Sequence, residues 1–294
     1  MGSIDLDLRC AEISALDEPL PGTTAAVQRW LCLEHRGAWG RDVLDGTAFG
    51  PELTAMLRAA TEAAGVRLML MHRPGRSGNE APKSTVLLAN STPEQSWCET
   101  LTVSGPSDLL DLDLTLLAGD APGLGTPVLD PVTLVCTHGK RDVCCALWGR
   151  PIAASLAAAG QDVWECSHTG GHRFAPSMIS LPTGYSWGRL DALESVHAVT
   201  ELAAGRLPLH GLRGRGCWDA AGQAAEIAVR GLVPDAQLND LDVTGDGDTR
   251  TVGHADGRRW SVDVALETLP ARAVSCGASP KPVQAARVLG VTAL

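Results

Sequence analysis

The chain has 294 residues, 45% of them hydrophobic and 20% charged, with a formal net charge of −10. This is an ordinary globular composition rather than a disordered one, and it is long enough for two or three small domains at ~100–150 residues each. The acidic balance excludes a general nucleic-acid binder, which needs a basic footprint to displace counterions, and suits docking onto a basic partner surface.

The N-terminus, MGSIDLDLRCAEIS, lacks a basic segment followed by an apolar one, so no secretory signal is expected. No apolar run approaches the ~20 residues that span a bilayer, so the expectation is a cytoplasmic protein with no membrane partner. Residues 1 to ~25, which close on the turn-rich EPLPGTT, read as an extended lead-in. RWLCLEH reads as a strand. PELTAMLRAATEAAG reads as a helix, with Pro51 at its start, Gly65 at its end, and Leu53, Met56, Leu57 and Ala60 at helical spacing. VRLMLMHR, STVLLAN and SWCETLTV follow as strands, and residues 106–119 as a helix. Residues 121–131 hold three Pro and two Gly and read as a linker.

The same order then returns. VTLVC is a strand, and residues 144–160 are a helix, or two short ones divided near Gly149–Pro151. DVWECS, SMISLP and YSWGRL are strands, the last two joined through Thr183-Gly184, and a helix closes at Gly205. Arg41-Asp42-Val43 and Arg141-Asp142-Val143 follow the first strand of each half, which supports an internal duplication. The fold class expected is α/β with mixed sheets: two tandem thioredoxin-like units and a small C-terminal α+β region. The boundaries are 1–120, 131–205 and 206–294. In the last, residues 217–231 read as a helix, and three strands follow with Asp246-Gly247 and Asp256-Gly257 as turns.

Nine cysteines in a reducing compartment do not suggest a disulfide framework, and four of them between 136 and 166 point to metal or redox chemistry. Cys136 ends a predicted strand, and Cys144 and Cys145 open the next helix, where free N–H groups and the helix dipole favour a thiolate. His168 and His172 follow the next strand with Gly170-Gly171 between them. Glycine is a poor helix former, so a tight loop that brings both imidazoles to one point is the better reading. A single buried Cys or lone His is more often structural, but this joint pattern is hard to explain by packing. Two thiolates and two imidazoles suit tetrahedral zinc or a [2Fe-2S] centre with two His on one iron. The spacing matches neither an ordinary zinc finger nor a Rieske site. Cys166, two residues before His168, is a further candidate thiol, while Cys10, Cys32, Cys98, Cys217 and Cys276 read as structural.

CTHGKRDVCC, WECSHTGGHRFAP and LPTGYSWGRL together resemble the sucrase/ferredoxin-like family, and the likeness extends loosely over residues 10–217. Its members include thioredoxin-like ferredoxins with bis-histidinyl [2Fe-2S] ligation, marked by Cys-x8-Cys and then His-x-Gly-Gly-His. Cys136 and Cys145 match the first motif, and His168 to His172 the second. The resemblance implies a [2Fe-2S] ferredoxin domain with Cys136, Cys145, His168 and His172 as ligands. It implies a non-enzymatic carrier that passes single electrons from an NAD(P)H-dependent flavoprotein reductase to a redox acceptor protein. Proton-binding imidazoles would couple electron and proton uptake. The first half lacks the ligand set and reads as a cluster-free partner. A zinc-binding interaction module and a thiol oxidoreductase are the other readings; the latter lacks a CxxC pair.

Overall fold

A computed structural model describes residues 8–75 and 83–294. The start of the expected lead-in, residues 1–7, lies outside them. The remainder of that lead-in holds a helix, α1 (Cys10–Asp17), which buries Cys10, Ala11 and Ser14. Glu12 accepts a hydrogen bond from the Arg9 amide at 2.8 Å and so satisfies one of the open N–H groups. Pro19 and Pro21 stop this helix, and the sequence reading had given their punctuation too much reach.

The first run of elements is β1 (Arg29–Glu34), α2 (Pro51–Ala64), β2 (Arg67–His72), β3 (Ser84–Asn90) and β4 (Trp97–Val103). Pro51 opens α2, and Gly65, at φ 61°, closes it in the left-handed conformation that glycine adopts without strain. The helix expected over 106–119 is instead two short 3-10 helices, Pro106–Asp111 and Leu114–Ala118. The Asp113 carboxylate takes the Thr115 amide at 3.1 Å and its hydroxyl at 2.6 Å, a local bond that competes with a continuous helix. Within the expected linker, β5 (Thr126–Pro127) pairs with β4.

The second run is β6 (Val132–Cys136), α3 (Val143–Ala158), β7 (Val163–Cys166), β8 (Ser177–Leu181), β9 (Tyr185–Gly188) and α4 (Ala192–Ala203). α3 is one helix that continues through Pro151. In β1–β4 the strand order is β2-β1-β3-β4, and in β6–β9 it is β7-β6-β8-β9. In each run the first pair is parallel and the rest antiparallel. β2 and β7 meet antiparallel, Met71 opposite Cys166 and His72 opposite Glu165, so the runs join back to back in one ten-stranded sheet. The mixed α/β class expected from the sequence is the one observed.

Residue alternation along the strands sorts the core. Leu31, Leu33, Leu68 and Leu70 face α2 through Leu57 and Ala64, while Val135, Val163 and Met178 face α3 and α4 through Ile152, Leu156 and Val199. The opposite face carries Trp30, Met69, Met71, Leu134, Trp164 and Ile179 of both runs in one cluster, with Cys136, Cys145 and Cys166 at its edge.

The C-terminal region is not confined to an appendage. β10 (Leu212–Arg215) extends the large sheet beside β9. α5 (Ala220–Arg230), capped by Asp219, then packs on a second sheet of β11 (Leu241–Thr244), β12 (Thr249–His254), β13 (Arg259–Arg272) and β14 (Lys281–Ala293). β13 and β14 form a long hairpin. Strand β14 goes unread in the sequence because Pro282 and Gly290 interrupt its alternation. No helix among the described residues is long and apolar enough to cross a membrane.

Candidate metal centre

Cys136 is the last residue of β6 and Cys145 lies in the first turn of α3; both are fully buried. Only residues 137–142 separate the two elements, and Asp142 caps the helix by accepting the Cys144 amide at 2.9 Å. Gly149 explains how closely α3 can approach. A Cβ there would stand 2.1 Å from the carbonyl oxygen of Cys136, so any other residue would push the helix off the strand end. Of the two sequence readings, one helix or two divided near Gly149–Pro151, the first holds, and the role of Gly149 is contact.

Ligand atoms of Cys136, Cys145 and His168 all lie within 4.8 Å of one another. His172 stands beside them, its ring centroid 5.0 Å from that of His168. It is not part of that three-residue group, and its Nε2 lies 3.7 Å from Asp142 Oδ2. Among the described residues, Nδ1 of His168 and both nitrogens of His172 are buried with no hydrogen bond of good geometry. Buried imidazole nitrogens normally find partners, and three unsatisfied ones next to two thiols make a donor set open to a metal. Burial, reinforced by the neighbouring His168, holds His172 below the ordinary imidazole pKa, so it is neutral with a lone pair to give. Cys136 and Cys145 share a proton. The hydrogen bond from Cys145, aided by His168, holds the Cys136 thiol well below its usual range, while Cys145 is pushed up.

The histidine loop is shaped as the sequence expects. Gly170 and Gly171 sit at φ 95° and 70°. At Gly171 a Cβ would also fall 2.5 Å from Arg213 Nη2 and 2.7 Å from the Phe174 ring. Phe174 closes a short 3-10 turn, His172–Phe174, which fixes where His172 leaves the chain.

Three residues that hold this loop escaped the sequence reading. Arg213, fully buried on β10, donates to Gly170 O at 3.2 Å and Ser177 Oγ at 2.7 Å, and to the Thr23 carbonyl. Burial and the nearby Arg173 charge lower its pKa to about 9, while the Cys136 and Cys145 charges oppose them. It thus doubles as a buried positive charge within electrostatic reach of Cys136 and Cys145. Arg67, on β2, donates to the His168 carbonyl at 2.8 Å. The buried His138 accepts the His168 amide at Nδ1 (3.2 Å), which leaves Nε2 to donate to the Gly40 carbonyl at 2.7 Å. Arg67 and Gly40 belong to the first run, so the ligand-free run braces the ligand loop. A clustered Arg or an extra His in the motif region was the only available signal, and neither names its contact.

Cys166, opposite Cys136 across the β6–β7 pair, is buried in the apolar core, and burial pushes its thiol up; it does not join the ligand group. Cys144 points elsewhere, to Cys10 and Cys276. Cys10 and Cys276, which read as structural in the sequence, are brought together with it by the fold.

A family model described as sucrase/ferredoxin-like matches residues 20–212, about two thirds of the chain. The chain belongs to the sucrase/ferredoxin-like family. The matched segment holds both runs and all four motif residues, whereas Cys10, Cys276 and the second sheet lie outside it. No curated protein and no solved structure matched the chain. Family membership and the Cys/His grouping together make this a metal-binding candidate.

Proposed function

We propose that the protein is a one-electron carrier that holds a [2Fe-2S] cluster, with Cys136 and Cys145 on one iron and His168 and His172 on the other. The observation that carries the reading is the convergence of two buried thiols and His168 within 4.8 Å, beside buried imidazole nitrogens with no hydrogen bond of good geometry among the described residues. When bound, such a cluster supplies reversible storage of one electron at a potential raised by neutral His ligands.

The chain's own residues supply the rest. Cys136 and Cys145 are closed off from water, whereas His168 and His172 are half-buried. Electrons would enter and leave on the histidine side. There, a cleft of about 230 Å³ lies between the two runs, lined by Arg41, Asp42, Arg67, His138 and His168. The first run thus shapes the approach to the centre. A flavoprotein reductase and a redox acceptor protein are the partner classes this role calls for, and no residue is asked to transform a substrate.

Anaerobic purification, a visible spectrum, and iron and acid-labile sulfide assays test the reading. Coloured protein with iron and sulfide in equal amounts, about two of each per chain, is expected. Colourless protein with zinc at Cys136 and Cys145 and no sulfide would replace the carrier with a zinc-stabilised module, because d¹⁰ zinc has no visible bands.

A further inference from the structure

The segments outside the family match converge on a second thiol group. Cys10 Sγ lies 3.7 Å from Cys144 Sγ, Cys144 Sγ lies 3.4 Å from Cys276 Sγ, and Cys276 Sγ lies 3.6 Å from Cys10 Sγ. The three come from the start of α1, the first turn of α3 and the loop between β13 and β14, separated by 132 to 266 positions. Asp142 Oδ1 is 3.7 Å from Cys10 Sγ and completes a four-residue group whose ligand atoms lie within 4.8 Å of one another.

We propose that Cys10, Cys144, Cys276 and Asp142 form a structural zinc site, distinct from the cluster site. With Zn–S bonds of about 2.3 Å, sulfurs on a tetrahedral ion stand about 3.8 Å apart. The three observed edges are close to that and slightly contracted. They are far from the ~2.05 Å of a disulfide. A cubane iron–sulfur cluster puts each thiolate on its own iron and spreads the sulfurs well beyond contact, so a single ion is the better fit. A tetrahedral ion also needs a fourth ligand, and Asp142 offers one. Its Oδ1 accepts the Cys144 amide, while Oδ2 accepts Ser275 Oγ and the Cys276 amide, both at 2.8 Å. These donors come from the segments that carry the thiols and fix the carboxylate as an acceptor. Oδ1 carries one amide only, leaving a lone pair for the ion.

Packing alone does not account for the group. The apolar cluster here consists of Cys10, Ala11, Cys144, Ala175 and the partly buried Cys276, with no large side chain. So little area gives weak hydrophobic anchorage to α1 and to the hairpin loop. The Asp17–Arg272 ion pair already joins α1 to β13; an ion bound by three thiolates would tie both to α3 as well and release the thiol protons as it binds. Cys144 and Cys145 are adjacent, so the first turn of α3 would carry one ligand of each centre. The half-buried Cys276 leaves an entry side.

The full-length, cluster-loaded protein, expressed with iron and zinc supplied, gives the test. About one zinc per chain is expected alongside the iron. The double variant Cys10→Ala/Cys276→Ala should lose zinc at least ~10-fold and keep its iron, sulfide and visible spectrum. Cys136→Ser should do the reverse, losing iron and keeping zinc, so the failure of one reading is separable from the failure of the other. Zinc X-ray absorption on the wild type needs no variant: three sulfurs and one oxygen support the proposal even where the double variant does not fold. No zinc in the wild type, zinc unchanged in the folded double variant, or a two-sulfur, two-nitrogen zinc shell would each overturn it.

Discussion

The two runs of the large sheet have one topology and different uses. In the first, residues 35–50 separate β1 from α2, and the strand ends at Glu34. In the second, only 137–142 separate β6 from α3, and the strand ends at Cys136. A short connection capped by Asp142 is what places a strand-end thiol beside a thiol in the first helical turn. The long connection of the first run cannot do this even though its strands pair identically. Topology supplies the platform, while connection length, one cap and a few glycines make a candidate metal site of it. The first run has become the brace, through Gly40 and Arg67.

The sharpest way to break this comparison is at the buried cysteines. Cys136→Ser should abolish the cluster, read as loss of iron, sulfide and visible colour, because a hard hydroxyl replaces a soft thiolate. Cys32→Ala, in the buried middle of β1, should cost about 1 kcal/mol for a small cavity and leave the iron content unchanged. Equal iron loss in both variants would mean that the first run ligates or shapes the cluster directly.

The glycines after β7 and after β2 give the next largest contrast. Gly171→Ala forces a left-handed residue at about 1–2 kcal/mol and also drives a Cβ against Arg213 and Phe174, so the histidine loop must move. Lower denaturation midpoint and reduced iron occupancy are expected together. Gly75, after β2, also has positive φ (90°), but no atom of the described residues lies within 4 Å of its Cβ position. Gly75→Ala should carry only the backbone penalty and leave iron occupancy untouched.

What could be read from the sequence divides along the same line. β1 through β4 and β6 through β9 follow from strand-period runs bounded by turn residues, and Cys136, Cys145, His168 and His172 stand out because their spacing is local. Helix α1 was hidden behind Pro19 and Pro21, and the 106–119 segment was misassigned because the Asp113 side chain competes with the helix backbone. Arg213 is 43 positions from the glycine whose carbonyl it binds, and Cys10 is 266 from Cys276. No periodicity or motif encodes a contact at that separation, so the supports of the site and the second thiol group became legible only in three dimensions.

The brace itself can be weakened without touching a ligand. His138→Leu removes the acceptor for the His168 amide and the donor to Gly40 O, leaving both backbone groups buried and unpaired. Such outer supports change metal affinity by about 10-fold or more. Chelator-driven loss of iron should therefore speed up by at least ~10-fold, with the cluster still assembling. Unchanged release kinetics would show that the histidine loop is held by Arg67 and Arg213 alone.

The smallest effect is expected where the two repeated tripeptides meet. Arg141 Nη1 and Asp42 Oδ2 stand 3.9 Å apart across the junction of the runs, with side chains 34% and 65% exposed. The tripeptides are not equivalent in structure. Asp142 caps α3, whereas Asp42 accepts the Leu44 amide in a loop well before α2 begins at Pro51. A pair so open to water is screened by salt and gains little over its hydrated state, less than ~0.5 kcal/mol. Asp42→Asn should then shift the thermal midpoint by under ~2 °C, and the shift should vanish at high salt. Iron occupancy should not change, because among the described residues no hydrogen bond joins Asp42 to Gly40 or His138. A shift of many degrees, or any loss of iron, would mean that the tripeptides act as a joint between the runs. The brace would then extend beyond Gly40 and Arg67 to the rim of the cleft, where a docking partner would feel it.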